Sequence, residues 1–192
     1  MHGLINRSFE LFLRDCYGDK IWEHVAREAK VDPRGFFLLQ KSSDQVSDRL
    51  ISEAATILRK AKGELIEDLG GWLTQREPIR RLLRFSGRNF SEFIESLGEF
   101  PRRAQMIIPS LRVPRIAVTM QNEQSYEVVI DGTGEIWPML LAGVLRGMAD
   151  DYGALAVITV HGHDLLIDIA MTEYSMMRPF VLVPEHAAGT GQ

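Results

Sequence analysis

Two histidines set two residues apart, His161 and His163, make the plainest metal-ligand pattern in this chain. Alternate residues of an extended run point the same way, so the pair could offer two imidazoles to one ion. No third donor lies beside them, and polar residues are the ordinary occupants of a hairpin turn, so a turn is the better reading. Asp131-Gly132-Thr133-Gly134 has the outline of a phosphate-cradling loop. It lacks the lysine and the further glycines such a loop needs, and also reads as a turn. Asp150-Asp151 is a carboxylate pair at a helix end, expected to be solvated. Arg80, Arg81 and Arg84, with Arg102 and Arg103, could grip a propionate, a phosphate or a partner's carboxylate. Without a pocket they read as exposed helix faces. Cys16 falls on the apolar stripe of a helix and reads as a small core residue rather than a nucleophile. No serine, histidine and acid share a suggestive spacing. Residue types alone show no legible active site.

The composition around these residues is that of an ordinary folded chain. At 192 residues, 45% apolar and 25% charged, it is long enough for a self-sufficient core in one large domain or two small ones. A net charge of −4 argues against nucleic acid or an anionic membrane surface as partner. Cys16 is the single cysteine, which leaves no intrachain disulfide and favours a reducing, cytoplasmic setting. No apolar run approaches the roughly 20 residues of a membrane span. The polar residues within MHGLINRSFELF are not those of a signal peptide.

The elements that must position any site fall in two styles. Residues 1 to 100 read as helices: Ile5, Phe9, Phe12 (or Leu13) and Cys16 on a first, stopped at Gly18, then Ile21, Trp22, Val25, Ala26 and Ala29 on a second. FFLL at 36–39 reads as a loop that pins apolar residues onto the core. Ser43 or Asp44 opens a third helix, and Leu65 to Leu73 mark a fourth, with Gly70-Gly71 a weak point inside it. Pro78 starts a short helix that ends near Gly87. Between Asn89 and Pro114, Phe90, Phe93, Ile94 and Leu97 recur at helical spacing, with Asn89 and Glu92 placed for a capping box. Pro101 interrupts that pattern, so two short helices meet near Gly98 to Pro101, with Pro101 in the first turn of the second. From Arg115 the period changes to that of strands: RIAVTM, SYEVVI, ALAVITV and LLIDIAM, with a helix at Ile136 to Met148 between the two pairs. The order is an α+β arrangement, an N-terminal helical part packed on a C-terminal antiparallel sheet with one or two helices.

MHGLINRSFELFLRDCYGDKIWEHVAREA, GELIEDLGGWL, LLRFSGRNFSEFIESL and IPSLRVPRI, in that order, resemble the haem nitric-oxide/oxygen-binding (H-NOX, HNOB) family. The most telling pieces are Met1, Gly3 and Asn6, then Tyr17-Gly18 and Trp22, and the segment closing on Pro109 and Pro114. The resemblance implies one domain over residues 1–183, helical to about 108 and α/β from about 109, with 184–192 a mobile tail. It implies a haem cleft between bundle and sheet, lined here by Ile5, Phe9, Phe90, Phe93 and Pro114. It also implies a sensor of diatomic gas in bacterial-type signalling that regulates a separately encoded effector, a cyclase or histidine kinase.

Two departures redirect that expectation. Counting back from Pro109, the family's iron-ligating histidine falls on Pro101, which has no lone pair for a metal, and no histidine lies between His24 and His161. The family's Y-x-S-x-R propionate clamp falls on Ile130, Gly132 and Gly134. Loss of both the iron bond and the charge-assisted clamp is hard to repair with apolar contacts. The expectation is a sensory or regulatory domain, not an enzyme, that does not hold haem in the family's manner. It would act through protein contacts or another apolar or tetrapyrrole ligand in the cleft. A haem sensor with Met106, Tyr126, Tyr152 or His2 as axial ligand is the alternative. An enzyme using the cleft, with Glu99, Arg102 and Arg103 as its ionisable groups, is the second.

Overall fold

Apolar residues at every third or fourth position wind the first half of the chain into helices, and alternation turns the second half into strands. The computed structural model describes residues 3–36, 44–107, 109, 111, 113–132 and 136–171. Helix α1 (Gly3–Tyr17) buries Phe9, Phe12 and Leu13, and Gly18, at φ +87°, turns the chain directly into α2 (Asp19–Glu28). Trp22 on α2 donates from Nε1 to the Pro33 carbonyl at 2.8 Å, and its ring meets Phe36 edge-on. Of the FFLL segment only Phe36 lies within the described residues, and it packs on the helical core as the sequence suggests. The buried Glu10 carboxylate of α1 fixes this loop, accepting from Arg7, Arg14 and the Phe36 amide. Helices α3 (Asp44–Leu58) and α4 (Lys62–Thr74) complete the bundle.

Next come α5 (Glu77–Arg84), α6 (Phe90–Glu95), a 3-10 turn (Ser96–Glu99) and α7 (Phe100–Ile107). Asn89 caps α6, its Oδ1 accepting from the Glu92 amide at 2.9 Å. Only half of the expected box forms, because the Glu92 carboxylate accepts from the Arg88 amide instead. The two short helices meet through the turn containing Gly98, and Pro101 is the second residue of α7, where its missing N–H leaves no helical bond unmade.

Strands β1 (Ile116–Asn122), β2 (Ser125–Ile130), β3 (Leu155–His161) and β4 (Asp164–Met171) form one antiparallel sheet in the order β1-β2-β4-β3. The register Tyr126↔Ile167↔Ile158 puts Tyr126, Val128, Ile158, Leu165, Ile167 and Ile169 on one face. Helix α8 (Ile136–Tyr152) covers that face. Arg146 of α8 donates to the Ile158 carbonyl at 2.7 Å, so the free edge of β3 is partly covered, which discourages pairing with another strand.

The buried side chains form two cores. Helices α1 to α4 hold one around Trp22, Phe12 and Leu65, and the sheet holds the other with Phe90, Phe93, Ile94 and Leu97. The division between these cores lies between Trp72 and Leu83, because α5, α6 and the 3-10 turn pack with the sheet. Helix α8 serves both: Ile136, Met139 and Leu140 reach the bundle, while Leu141, Leu145, Met148 and Tyr152 reach the sheet. A helix apolar on every side is a buried helix.

Three expectations change on folding. Cys16 is exposed, because Phe12 and Leu13 take the buried stripe of α1. Asp151 is not a merely solvated carboxylate; it is half-buried between Arg80 and Arg84, at 3.6 and 3.5 Å. Gly70 is not a weak point in α4 but a place where its backbone packs against that of α8. Residues 133–135, with Thr133 and Gly134 of the DGTG turn, and residues 184–192 lie outside the described residues.

Candidate functional site

Where the bundle meets α8, the chain leaves an enclosed cavity between Ile5, Asn6 and Phe9 of α1, Ser47 and Ile51 of α3, and Leu140 of α8. Its volume is ≈ 10 Å³. That is room for about one water, against the roughly 300–1,000 Å³ of an ordinary cofactor or ligand pocket. Asn6 and Ser47 are its polar members, 2% and 1% exposed, and Ser47 donates from Oγ to Asn6 Oδ1 at 2.7 Å. The Asn6 Nδ2 is buried without a partner among the described residues.

Helices α4 and α8 meet along a close-packed seam. A Cβ on Gly143 would fall on the Glu67 carbonyl, 2.8 Å from its carbon and 3.0 Å from the Gly70 Cα. A Cβ on Gly70 would press on the Leu140 carbonyl and lie 2.9 Å from the Val144 nitrogen. Backbone therefore touches backbone, which only glycine permits. Arg146 reinforces the seam, pairing with Glu67 of α4 while it holds the Ile158 carbonyl. Gly143 and Gly147, four residues apart on α8, were the sequence signal for this closeness, since residues at that spacing share one helix face.

The residues expected to line one cleft are divided. Ile5 and Phe9 border the cavity. Phe90 and Phe93 stack on each other at 6.3 Å and against Tyr152, inside the sheet core. Pro101 is half-buried in α7, a helix with no buried residue, and Pro114 is half-buried beside Gly132. The alternative axial ligands do not converge either. Met106 points to solvent, Tyr126 reaches Glu95 at 3.3 Å, and Tyr152 donates to the Gly87 carbonyl at 2.7 Å. His2 lies outside the described residues.

Catalytic chemistry finds little to work with. Glu99 and Arg102 are exposed and paired at 3.9 Å, away from any enclosed space. An open groove of ≈ 730 Å³ runs behind the seam past Cys16, Tyr17 and Thr74, and most of its charges are paired: Glu67 with Arg146, Asp68 with Lys60, Asp151 with Arg80. Desolvation, then the charge of Asp15, push the Cys16 thiol up, away from the thiolate. Among the described residues no group of three histidine, cysteine or acidic side chains could hold a metal, and exposed His161 and His163 stand at the β3–β4 turn. Arg80 and Arg84 hold Asp151, Arg81 holds Glu77, and Arg103 donates to Ser86 and to the Ser96 carbonyl. Among the described residues no helix is long and apolar enough to cross a membrane.

The family model described as Haem-NO-binding matches residues 2–160 of the chain. The soluble guanylate cyclase gcy-31 of Caenorhabditis elegans is 26% identical over 118 residues, covering 59% of this chain and 17% of that protein. The chain therefore spans about a sixth of that relative. An H-NOX mutant of T. tengcongensis superposes with a TM-score of 0.74 at 15% identity, over 89% of this chain and 98% of that one. An Fe(II) unliganded H-NOX mutant from K. algicida gives 0.74 at 14% identity, over 91% and 99%. At such identities the likeness is one of fold.

Proposed function

The chain belongs to the haem-NO-binding (HNOB, H-NOX) family, and on that footing we propose a sensory and regulatory domain that works without the family's haem ligation. One observation carries the proposal: the cavity bordered by Ile5 and Phe9 is ≈ 10 Å³. The donor set supports it. Pro101 stands where the resemblance places an imidazole, and the clamp positions carry Ile130, Gly132 and Gly134. The residues present do not fit haem, so no step of its action passes through that group.

In this reading the domain is not an enzyme; it acts in the cytoplasm by binding a signalling effector of the cyclase or histidine kinase class. Its similarity to a chain named as a guanylate cyclase supports the cyclase side. The test is absorption of the purified full chain after incubation with haemin. The proposal expects the broad spectrum of unbound haemin; a sharp Soret band that survives gel filtration overturns it.

A further inference from the structure

We propose that the face of the sheet turned away from α8 is a docking surface for a protein partner presenting an apolar helix stripe rimmed by lysine and arginine. The inference rests on the partner-binding reading above and adds the place and chemistry of the contact.

The strand register builds this surface. The alternation that sends Val128, Ile158, Leu165 and Ile167 to the core sends Val129, Val157 and Leu166 the other way. Leu166 of β4 pairs with Glu127 of β2 and with Thr159 of β3, while Val129 pairs with Asp164 and Val157 with Asp168. Val129 and Val157 are therefore diagonal neighbours of Leu166, one on each adjoining strand, and the three form a stripe across the sheet. Val157 is 60% exposed and Leu166 39%, and Leu155 at the start of β3 adds a further exposed apolar side chain. An antiparallel sheet that leaves one face in water places polar residues there. Leu166 and Val129 lie on the two central strands and depart from that rule. Apolar side chains grouped in this way mark an interaction site, where a single one would be ordinary.

Charge selects the partner. Each member of the stripe stands opposite a carboxylate: Leu166 opposite Glu127, Val129 opposite Asp164, Val157 opposite Asp168. The four strands hold no lysine or arginine to answer them. Glu127 accepts from Gln121 Nε2 at 2.8 Å and Asp168 from Ser125 Oγ at 2.6 Å, neutral donors that leave both charges uncompensated. From Ile116 to Met171 there are eight carboxylates and one arginine, a net −7 in a chain of −4. That arginine, Arg146, is already paired with Glu67 of α4. The field repels nucleic acid, an anionic bilayer and the same face of a second copy, and it complements a stripe flanked by cations.

The experiment uses the full chain and two labelled synthetic helical peptides with the same Leu/Ile stripe, one flanked by Lys and one by Glu, read by fluorescence anisotropy. The Lys-flanked peptide should bind at least about tenfold tighter than the Glu-flanked one and weaken as salt is raised. Glu127→Gln/Asp164→Asn/Asp168→Asn keeps the side-chain shapes and should erase that preference. Val157→Ser/Leu166→Ser should lose about tenfold in affinity for the Lys-flanked peptide. If its melting curve shows that this variant does not fold, the charge variant alone decides. Thr159→benzoylphenylalanine, beside Leu166, should photo-cross-link to the Lys-flanked peptide. Equal binding of both peptides, binding of neither, or an undiminished preference in the charge variant overturns the proposal. So does cross-linking from position 159 to residues 172–192 of the same chain, or to a second copy, in place of the peptide. Haem uptake with the peptide preference intact would sink the haem-free reading alone. Peptide binding that no variant weakens would sink this surface and leave the partner-binding reading standing.

Discussion

Replacing Gly143 with alanine tests the backbone contact between α4 and α8. The added Cβ would sit on the Glu67 carbonyl and 2.8 Å from its carbon, where ordinary contact begins at 3.4 Å. Neither obstacle is the end of a flexible side chain, so α4 and α8 must part by more than about 1 Å to clear the carbonyl oxygen, which weakens dispersion attraction along the whole seam. Overpacking of this kind costs about 1–3 kcal/mol, and a backbone obstacle belongs at the upper end. Alanine returns about 1 kcal/mol of helix propensity, for a net loss of about 2 kcal/mol. In a chain of this length that lowers the melting temperature by about 4–8 °C. Gly71→Ala is the control, because its Cβ meets only the Gly143 carbonyl oxygen, at 3.9 Å. It should gain up to about 1 kcal/mol, a rise of about 2–4 °C. Adding Gly70→Ala to Gly143→Ala should cost less than the sum of the two, since one separation relieves both clashes. Circular dichroism melts, checked by urea midpoints, read all four. Gly71→Ala and Gly143→Ala moving the same way would refute the seam.

Pro101→His alone should not confer haem uptake, because α7 does not border the cavity; a Soret band in that variant would refute this. Ser47→Ala should cost about 1–3 kcal/mol in urea denaturation by leaving the buried Asn6 amide wholly unpaired, while Asn6→Leu/Ser47→Ala should be near neutral. Hydrogen bonding by Trp72 and the charge of Arg76 hold the Asp15 carboxyl below its usual value; Arg34 does so for Asp32 and Arg88 for Glu92. Groups depressed on folding stabilise above their unfolded values near 4 and lose that contribution as pH falls through the folded ones. The melting temperature should therefore fall steeply below about pH 4, and Asp15→Asn should flatten that fall; an unchanged slope would remove Asp15 from it.

Some of this was readable because its cause is local. The 3.6-residue period from Phe9 to Leu73, the stop at Gly18, the cap at Asn89 and the break before Pro101 each depend on a few neighbouring residues. The alternation in SYEVVI and LLIDIAM likewise set which side chains face the core. Other features answer to contacts far along the chain. Cys16 lies on a plausible apolar stripe, yet Phe12 and Leu13 point inward instead, because α4 approaches α1 from their side and brings Trp72 to within 5.9 Å of the Phe12 ring. Asp151 looks free until Arg80 and Arg84, some seventy residues earlier, fold against it.

The sequence by itself determined the kinds and order of the elements and the family, because propensity, periodicity and residue chemistry belong to single positions and short windows. Only the tertiary structure decided that Phe9 lies in one core and Phe90 and Phe93 in another, and that α4 and α8 touch backbone to backbone. That outcome depends on how near α4 can approach α8, a distance set jointly by Gly70 and Gly143, which are more than seventy residues apart and meet only in the folded chain.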